Sequence, residues 1–466
     1  MKIPNIIKDI NSLSPEIVFL ICGVLFGLLM VYANPPYHSN DEDRHFYLAY
    51  NYSEGNLAPT VQNGKVGFIL PISLYNITVS TQGKNYNAGQ KVSRQMIDNA
   101  EKVPLNKDKN LFYEATTINI NPIAYIGPII GMSVGKVIND NPIHILWAGR
   151  IGSLLFYLLI VYFAIKLIPF HKFPLTLIAL NPMSLYQATS ITYDTPIFAL
   201  TLLLFAYTFK LLFDETTINE NNIIMIVAIA LIINFSKDGY FLLPFIALLL
   251  PMNRFKNKNL YYIMLASLII SIFIPNWTWG VYFQSLNLPN PKPLVSDFQY
   301  GGSEQINFLL SNPFGSLYNI FMNIITQGKE WMWGVFGRFG YSYSVLNKGL
   351  ITVYGLFLFT YILLDNSGKY EVTDKQRYLL LSLGILTALM IIVGFYTVAS
   401  PVGAKLIFGV QGRYFIPTLP FFIFALSNNI IKKEQFLELK GVVAISAIVI
   451  MLSYTVYFLD KQLWMN

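Results

Sequence analysis

The feature that most constrains this chain is its series of apolar blocks, which are long enough to cross a lipid bilayer. The first block covers residues 17–33, and a helix that spans a bilayer needs about 20 apolar residues. Hydrophobic residues make up 54% of the sequence and charged residues only 12%. A soluble protein of 466 residues has about twice this share of charged residues. The sequence therefore predicts an all-α, multi-pass integral membrane protein.

About eleven such blocks form one predicted transmembrane domain, residues 1–466. The predicted spans are residues 17–33, 143–169, 173–190, 195–213, 222–235, 240–250, 261–282, 350–364, 378–398, 414–430 and 442–458.

Two long segments, residues 34–121 and 284–348, are predicted to form loops outside the membrane. The first is too polar and too rich in Gly and Asn to be buried in lipid. Within it, residues 43–54 predict a short amphipathic helix near the interface, with aromatic residues as its apolar contacts. The next apolar stretch, residues 121–137, contains two prolines and predicts a juxtamembrane helix.

The basic loops predict the orientation of the chain, because Lys and Arg are enriched in cytoplasmic loops. Lys2 and Lys8 precede the first span and indicate a cytoplasmic N-terminus. If successive spans cross the membrane in opposite directions from this N-terminus, four basic loops lie inside and both long loops lie outside. The basic loops are residues 170–172, 253–259, 374–377 and 432–434. These loops carry most of the net charge of +7, and because the basic residues form no stripe, nucleic acid is excluded as a partner.

Ionisable residues near membrane depth are candidates for function, because burying a charge there is costly. With this arrangement of spans, the candidates all fall on the outer side, whereas scattered structural charges would divide between both faces. They are Asp41, Glu42, Asp43, Arg44, His45, Arg150, Asp194, Lys237, Asp238, Lys405 and Arg413. The sequence therefore predicts that these charges converge on one outward-facing site.

Each candidate also has a purely structural interpretation. Asp194 could cap the helix that begins after it, and Arg150 and Arg413 could extend to lipid headgroups. Lys237 and Asp238 could form an isolated ion pair within a helical hairpin. A functional site is therefore indicated by the placement of all the candidates on one side, and not by any single residue.

The residue types in this predicted site suit one reaction. The acidic run at residues 41–43 could be the start of a solvated loop, and His45 could anchor the chain at the interface. Alternatively, a carboxylate could act as general base on an acceptor hydroxyl, while Arg and Lys stabilise the charge on a phosphate leaving group. A polyprenyl-phosphate sugar, with its phosphate at headgroup level and its tail in the membrane, would meet both groups.

The segment PPYHSNDEDRHFYLAYNYSEGNL resembles the opening signature of a bacterial membrane protein family, the "domain of unknown function twenty-one forty-two". The matching residues are Asp41, Glu42, His45, Gly55 and Leu57. Further motifs follow in the family's order, between residues 34 and 417: NPIAYIGP, WAGRIGSL, NPMSLYQATSITYDTP, SKDGYFLLP, GRFGY and QGRYFIP.

This family is similar to the GT-C glycosyltransferases, membrane enzymes that use lipid-phosphate-linked sugars. The resemblance implies a GT-C-like bundle whose large first extracytoplasmic loop bears juxtamembrane helices. It also implies that Asp41 is the general base and that Glu42 is a second candidate base or a metal ligand. The NPIAYIGP segment is similar to the juxtamembrane helix that shapes the donor pocket in those enzymes.

We therefore predict a glycosyltransferase on the outer face of the bacterial cytoplasmic membrane. Its donor would be a polyprenyl-phosphate sugar, and its acceptor a cell-surface glycopolymer or a lipid-linked glycan. The predicted substrate-binding residues are Arg150, Lys237 and Arg413 for the donor phosphate, with Asp194, Asp238 and His45 orienting those cations or the sugar.

The acidic run is compatible with a divalent cation, Mg²⁺ or Mn²⁺, because both prefer oxygen ligands. Two other kinds of function fit a membrane protein of this composition. One is a flippase, transporter or polymerase of lipid-linked glycans, and the other is a non-catalytic scaffold of a glycan-assembly complex.

Overall fold

The computed structural model describes residues 9, 11–82, 91–115, 118–289, 301–340, 344–366, 368, 370–427, 436 and 438–465. The chain is mostly helical. Lys2, Lys8 and residues 432–434, which contribute to the predicted orientation, lie outside the described residues.

The first predicted outer loop contains a small β-sheet, which the all-α prediction did not include. Helix α1 leads into this loop, where an antiparallel sheet of order β1-β2-β3 packs beside short helices. Gly67 of β2 lies so close to β3 that an added Cβ would be 1.9 Å from the Tyr113 carbonyl oxygen. The elements are α1 (Pro15–Ala33), α2 (Glu42–Ser53), β1 (Thr60–Gln62), β2 (Lys65–Pro71), α3 (Ile72–Gln82), α4 (Arg94–Ala100) and β3 (Asn110–Glu114).

The predicted helix at residues 43–54 is present as α2, but it is enclosed by protein. Phe46, Tyr47 and Tyr50 are all buried. They belong to a hydrophobic cluster with residues of β2 on one side and of two later helices on the other. The aromatic side chains therefore anchor α2 inside the protein instead of making the predicted contacts with the membrane interface.

The predicted juxtamembrane helix is a 3-10 turn, Pro122–Tyr125, followed by α5 (Ile126–Ile138). Helix α5 packs closely against α6 (Pro142–Leu167) through small residues. A Cβ on Gly131 would lie 2.1 Å from the Ala148 carbonyl oxygen. Small residues spaced four apart allow such close helix contacts in membranes.

The middle of the chain contains α9, which has the largest buried share of the six helices that are long and apolar enough to cross a membrane. This middle part consists of α7 (Lys172–Ala179), α8 (Pro182–Ala188), α9 (Asp194–Phe213), α10 (Glu220–Ser236) and two 3-10 helices, Leu243–Leu249 and Met252–Arg254. The apolar window of α9 is 78% buried inside the protein. Because α9 begins at Asp194, that carboxylate is held at one end of the buried core.

The last part of the chain starts with a helix that changes its hydrogen-bonding pattern. Helix α11 (Lys258–Pro275) continues as a π-helical turn, Asn276–Gly280, and then as α12 (Val281–Ser285). The remaining elements are α13 (Gly302–Ser311), α14 (Pro313–Gly337), β4 (Arg338–Phe339), β5 (Ser344–Val345), α15 (Lys348–Leu364), α16 (Asp374–Val398), a 3-10 helix (Gly412–Thr418), α17 (Leu419–Ala425) and α18 (Lys440–Leu463).

Six helices of the described residues are long and apolar enough to cross a membrane: α1, α6, α9, the continuous segment Lys258–Ser285, α16 and α18. Three apolar helices are shorter: Pro122–Ile138, α10 and α15. The chain is therefore a multi-pass membrane protein, but the structure does not confirm eleven spanning helices.

Proline explains why some predicted spans are broken. The span predicted at residues 173–190 is two helices, which are separated before Pro182. The spans predicted at 240–250 and 414–430 contain 3-10 helices that include Pro244 and Pro417, and residues 428–430 lie outside the described residues. Proline has no N–H to donate within a helix, so it shortens or breaks regular α-helix.

Candidate functional site

The candidate site begins just after α1, where Asp41 precedes α2. The backbone of Asp41 is left-handed, with φ 57°, a conformation that is uncommon for residues other than glycine and that Asp tolerates better than most. Its side chain is 38% exposed and forms an ion pair with Arg44 at 3.4 Å. The neighbouring Asn40 amide donates a hydrogen bond to Gln411 Oε1 at 2.8 Å. Asp41 is thus an accessible carboxylate in a strained position, beside the segment that leads to Arg413.

Glu42 and Arg150 form a buried ion pair, and neither side chain has any exposed surface. Arg150 Nε donates to Glu42 Oε1 at 2.8 Å, and the other guanidinium nitrogens also bind the carbonyl oxygens of Asn34 and Pro35. Glu42 also accepts a hydrogen bond from the backbone N–H of Ile191 at 3.1 Å. The two side chains therefore fasten the end of α1 to α2 and α6, and they have no free surface for a phosphate or an acceptor.

Three of the predicted charges meet at a second position, which we call the cavity cluster: Asp194, Lys237 and Arg413. Lys237 Nζ lies 2.7 Å from Asp194 Oδ1, and Arg413 Nε lies 3.4 Å from Asp194 Oδ2. Arg413 also donates to Gln187 Oε1 at 3.1 Å. The residues come from α9, from the end of α10 and from the 3-10 helix at 412–418. This cluster carries two cations and one carboxylate.

Two tyrosines that the sequence analysis missed enclose Lys237. Its ammonium lies 4.3 Å from the ring centre of Tyr193 and 4.0 Å from that of Tyr414. Aromatic faces attract cations, more strongly where water is excluded. The available signal was position, since each tyrosine directly adjoins a predicted charged residue in the sequence.

His45 lies between α2 and the cavity cluster and is buried. Its Nδ1 is 2.5 Å from the Tyr125 hydroxyl, and its ring centre is 4.7 Å from that of Tyr193. Burial lowers the pKa of His45 to about 4, although the carboxylates of Asp41 and Asp194 oppose this shift. His45 is therefore neutral at pH 7, and it connects the Asp41 turn to Tyr193.

A cavity of about 1030 Å³ adjoins the cavity cluster. Tyr193, Lys237, Asp238 and Tyr414 line one part of it. Side chains of α16 line another part, and most of them are apolar: Met390, Ile391, Gly394, Phe395 and Val398. A cavity with a cation beside an apolar wall suits an amphiphile that carries a negative charge.

The other predicted residues lie in three different places. Asp238 is exposed and lines the cavity. Asp41 does not line the cavity, and its connection to it passes through His45 and Tyr193. Lys405 is exposed on the loop after α16, where its carbonyl oxygen accepts a hydrogen bond from Asn323.

The acidic run does not fit a bound Mg²⁺ or Mn²⁺. Among the residues that the structure describes, no group of three or more His, Cys, Asp or Glu side chains could hold a metal ion. Asp41 is paired with Arg44 and Glu42 with Arg150. These ion pairs occupy the oxygen ligands that the metal would need.

One family model matches residues 24–422, a span that includes every residue of the cavity cluster; its description is "Predicted membrane protein (DUF2142)". The chain belongs to this family. No curated protein and no solved structure matches it. The family's description gives no activity.

Proposed function

We propose that this protein is a GT-C-like membrane glycosyltransferase that uses a polyprenyl-phosphate sugar as donor. The observation that carries the proposal is the pair of cations, Lys237 and Arg413, beside a large cavity with an apolar wall on α16. A lipid-linked sugar has the matching parts, which are an anionic phosphate and a long apolar tail.

The donor phosphate is placed near Lys237, which lines the cavity, with Arg413 supporting it on the other side of Asp194. Asp194 neutralises only one of the two positive charges, so the cluster keeps a net positive charge for an anion. Fixed cations stabilise the charge that develops on a leaving phosphate without the cost of reorganising solvent. The apolar wall of α16 guides the tail toward the bilayer.

Asp41 is the proposed general base. It takes the proton of an acceptor hydroxyl, whose oxygen then bonds to the anomeric carbon of the donor sugar. The bond between that carbon and the phosphate oxygen breaks, and the lipid monophosphate leaves with the electron pair. Glu42 and Arg150 act as positioning residues, since they fix the backbone on both sides of Asp41.

The sequence patterns support the proposed side of the membrane and the proposed class of acceptor. The basic loops favour a site outside the bacterial cytoplasmic membrane. The acceptor is then a cell-surface glycopolymer or a lipid-linked glycan. The resemblance of the opening signature to GT-C enzymes supports the same reaction class.

Genetic complementation tests this proposal. In a strain that lacks the gene, sugar analysis of the surface glycans should show the loss of one glycosyl residue, and the wild-type gene should restore it. Asp41→Asn should restore none of it, because the amide cannot accept the proton. Asp108→Asn is the matched control, since Asp108 is an exposed carboxylate of the same outer segment. Full restoration by Asp41→Asn, at wild-type protein abundance, would reject the assigned base.

A further inference from the structure

The π-helical turn at Asn276–Gly280 forms part of the cavity wall. π-Turns are rare in proteins and are frequent at functional sites. Here the turn directly follows Pro275, which has no N–H and so interrupts the regular hydrogen bonds of α11. Asn276, Trp279 and Gly280 from this turn all line the cavity. The change in helix geometry therefore occurs where the helix meets the cavity.

The two tryptophans of this turn have different surroundings. Trp277 is 65% exposed, does not line the cavity, and stacks on Phe273 with ring centres 6.2 Å apart. Trp279 lines the cavity, and its indole N–H donates to the Asn119 carbonyl oxygen at 2.6 Å. Trp277 fits the aromatic belt of a membrane interface. Trp279 instead has an orientation fixed by a hydrogen bond within the cavity wall.

Polar side chains surround Trp279 in this part of the cavity. Asp238, Asn276, Gln284 and Asn287 are exposed, and all four line the cavity. A carboxylate accepts hydrogen bonds from hydroxyl groups, and an amide both donates and accepts them. An aromatic ring adds a flat apolar surface for the C–H face of a sugar ring. This combination is chemically suited to a sugar.

The charges of the cavity wall favour an uncharged sugar. Lys237 and Asp238 are the only charged residues among the described residues that line the cavity. Lys237 is paired with Asp194, whereas the structure shows no ion pair for Asp238 within the described part of the chain. A sugar carboxylate near Asp238 would therefore be repelled, while neutral hydroxyls would be bound.

We propose that Asp238, Gln284 and the π-turn residues Asn276 and Trp279 form the sugar-binding lobe of the cavity. The lobe takes an uncharged, hydroxyl-rich sugar and discriminates against uronic acids. This inference depends on the proposed glycosyltransferase function, because it places the sugar next to the phosphate that Lys237 would bind. It adds a substrate class and assigns residues that select it.

Binding measurements on the purified full-length protein in detergent test the inference. The probes are farnesyl phosphate and farnesyl phosphate linked to glucose, galactose, mannose, N-acetylglucosamine or glucuronic acid. We expect at least one neutral conjugate to bind more tightly than farnesyl phosphate and than the glucuronic acid conjugate. Asp238→Asn and Trp279→Ala should each weaken binding of that neutral conjugate roughly 10-fold, and neither should weaken binding of farnesyl phosphate.

Trp277→Ala is the matched control on the same turn and should change neither affinity, and Trp279→Phe preserves an aromatic ring if the alanine variant does not fold. The inference is overturned if no neutral conjugate binds better than farnesyl phosphate, if glucuronic acid is preferred, or if Trp277→Ala and Trp279→Ala have equal effects. Lys237→Met separates the two proposals, because it should weaken binding of bare farnesyl phosphate. An unchanged affinity in that variant contradicts the phosphate site of the proposed function.

Discussion

Two charge clusters, each centred on a buried aspartate, contain similar residue types but differ in how completely their hydrogen bonds are satisfied. The cavity cluster, Asp194, Lys237 and Arg413, has one carboxylate between two cations. The other, which we call the closed cluster, has Asp365 between His171 and Lys440, with distances of 2.9 Å to His171 Nδ1 and 3.0 Å to Lys440 Nζ. The clusters lie near opposite ends of α9, because the helix begins at Asp194 and its last residue, Phe213, packs against Phe170, the neighbour of His171.

The closed cluster also includes Ser427, whose Oγ lies 2.8 Å from His171 Nε2. This is the hydrogen-bond order of a Ser–His–Asp triad. However, His171, Asp365 and Ser427 are at most 3% exposed, so no substrate could reach the serine hydroxyl. The cluster instead joins three connecting segments of the chain.

The cavity cluster has unsatisfied polar atoms and lies beside a cavity. Asp194 Oδ2, Arg413 Nε and Gln187 Nε2 lack a hydrogen bond within the described part of the chain. Buried polar groups are normally hydrogen-bonded, and an exception requires an explanation. A bound anion could accept hydrogen bonds from Arg413 Nε and Gln187 Nε2, and a water molecule could donate one to Asp194 Oδ2. The comparison indicates that the closed set of charges is complete without a ligand, whereas the open set beside a cavity has polar atoms that a ligand could satisfy.

The Glu42–Arg150 pair is a second closed arrangement, and breaking it should have the largest effect on stability. Glu42→Ala leaves the Arg150 guanidinium buried without its carboxylate partner. We expect the free energy of unfolding to fall by about 3–5 kcal/mol, measured by denaturant unfolding in detergent. If Glu42→Ala unfolded like the wild type, the fully buried pair would not be structural.

The next largest effect is on sugar transfer, which should differ between a variant of the cavity cluster and a variant of the closed cluster. Lys237→Met should lower sugar transfer per folded protein by about 100-fold, as loss of a transition-state stabilising group does. Asp365→Asn is the comparison variant; it should lower the free energy of unfolding by about 1–3 kcal/mol and leave transfer per folded protein within twofold. Equal losses of transfer in both variants would contradict the distinction between an open and a closed cluster.

Acid should give the most gradual effect, through two buried histidines: His38, which contacts Tyr186, and His45, which contacts Tyr193. Burial lowers the pKa of each to about 4, from an ordinary value of 6.5. Between these values the unfolded chain binds protons that the folded chain does not. Stability therefore falls as the pH decreases from about 6.5 to about 4, by up to about 1.4 kcal/mol per pH unit for each histidine.

Thermal unfolding across this pH range checks the effect. His45→Phe should reduce the slope of the unfolding midpoint against pH, because the variant has one titrating group fewer. An unchanged slope in His45→Phe and in a matching His38 variant would show that neither histidine is held neutral by burial.

The sequence predicted the meeting of Asp194, Lys237 and Arg413, because the loop charges and the alternating spans place them on the same side. It did not predict the pairing of Glu42 with Arg150. Successive residues of a helix point about 100° apart, so the run at residues 41–43 could not reveal which carboxylate would be buried.

Other features depended on contacts that no sequence pattern records. The residues of the closed cluster come from separate polar loops. In the sequence they look the same as charged loop residues that only set the orientation of the membrane spans. The Tyr193 and Tyr414 rings around Lys237 come from segments more than 200 residues apart. Short helices interrupted by proline were counted as spans, because apolar composition alone does not show where a helix ends.

An experimental structure of the protein bound to farnesyl phosphate in lipid nanodiscs would show most directly whether the cavity cluster binds the donor phosphate. We predict phosphate density within hydrogen-bond distance of Lys237 or Arg413, with the apolar chain along α16. Phosphate density elsewhere, with the cavity cluster unoccupied, would contradict the assignment of this cluster as the donor phosphate site.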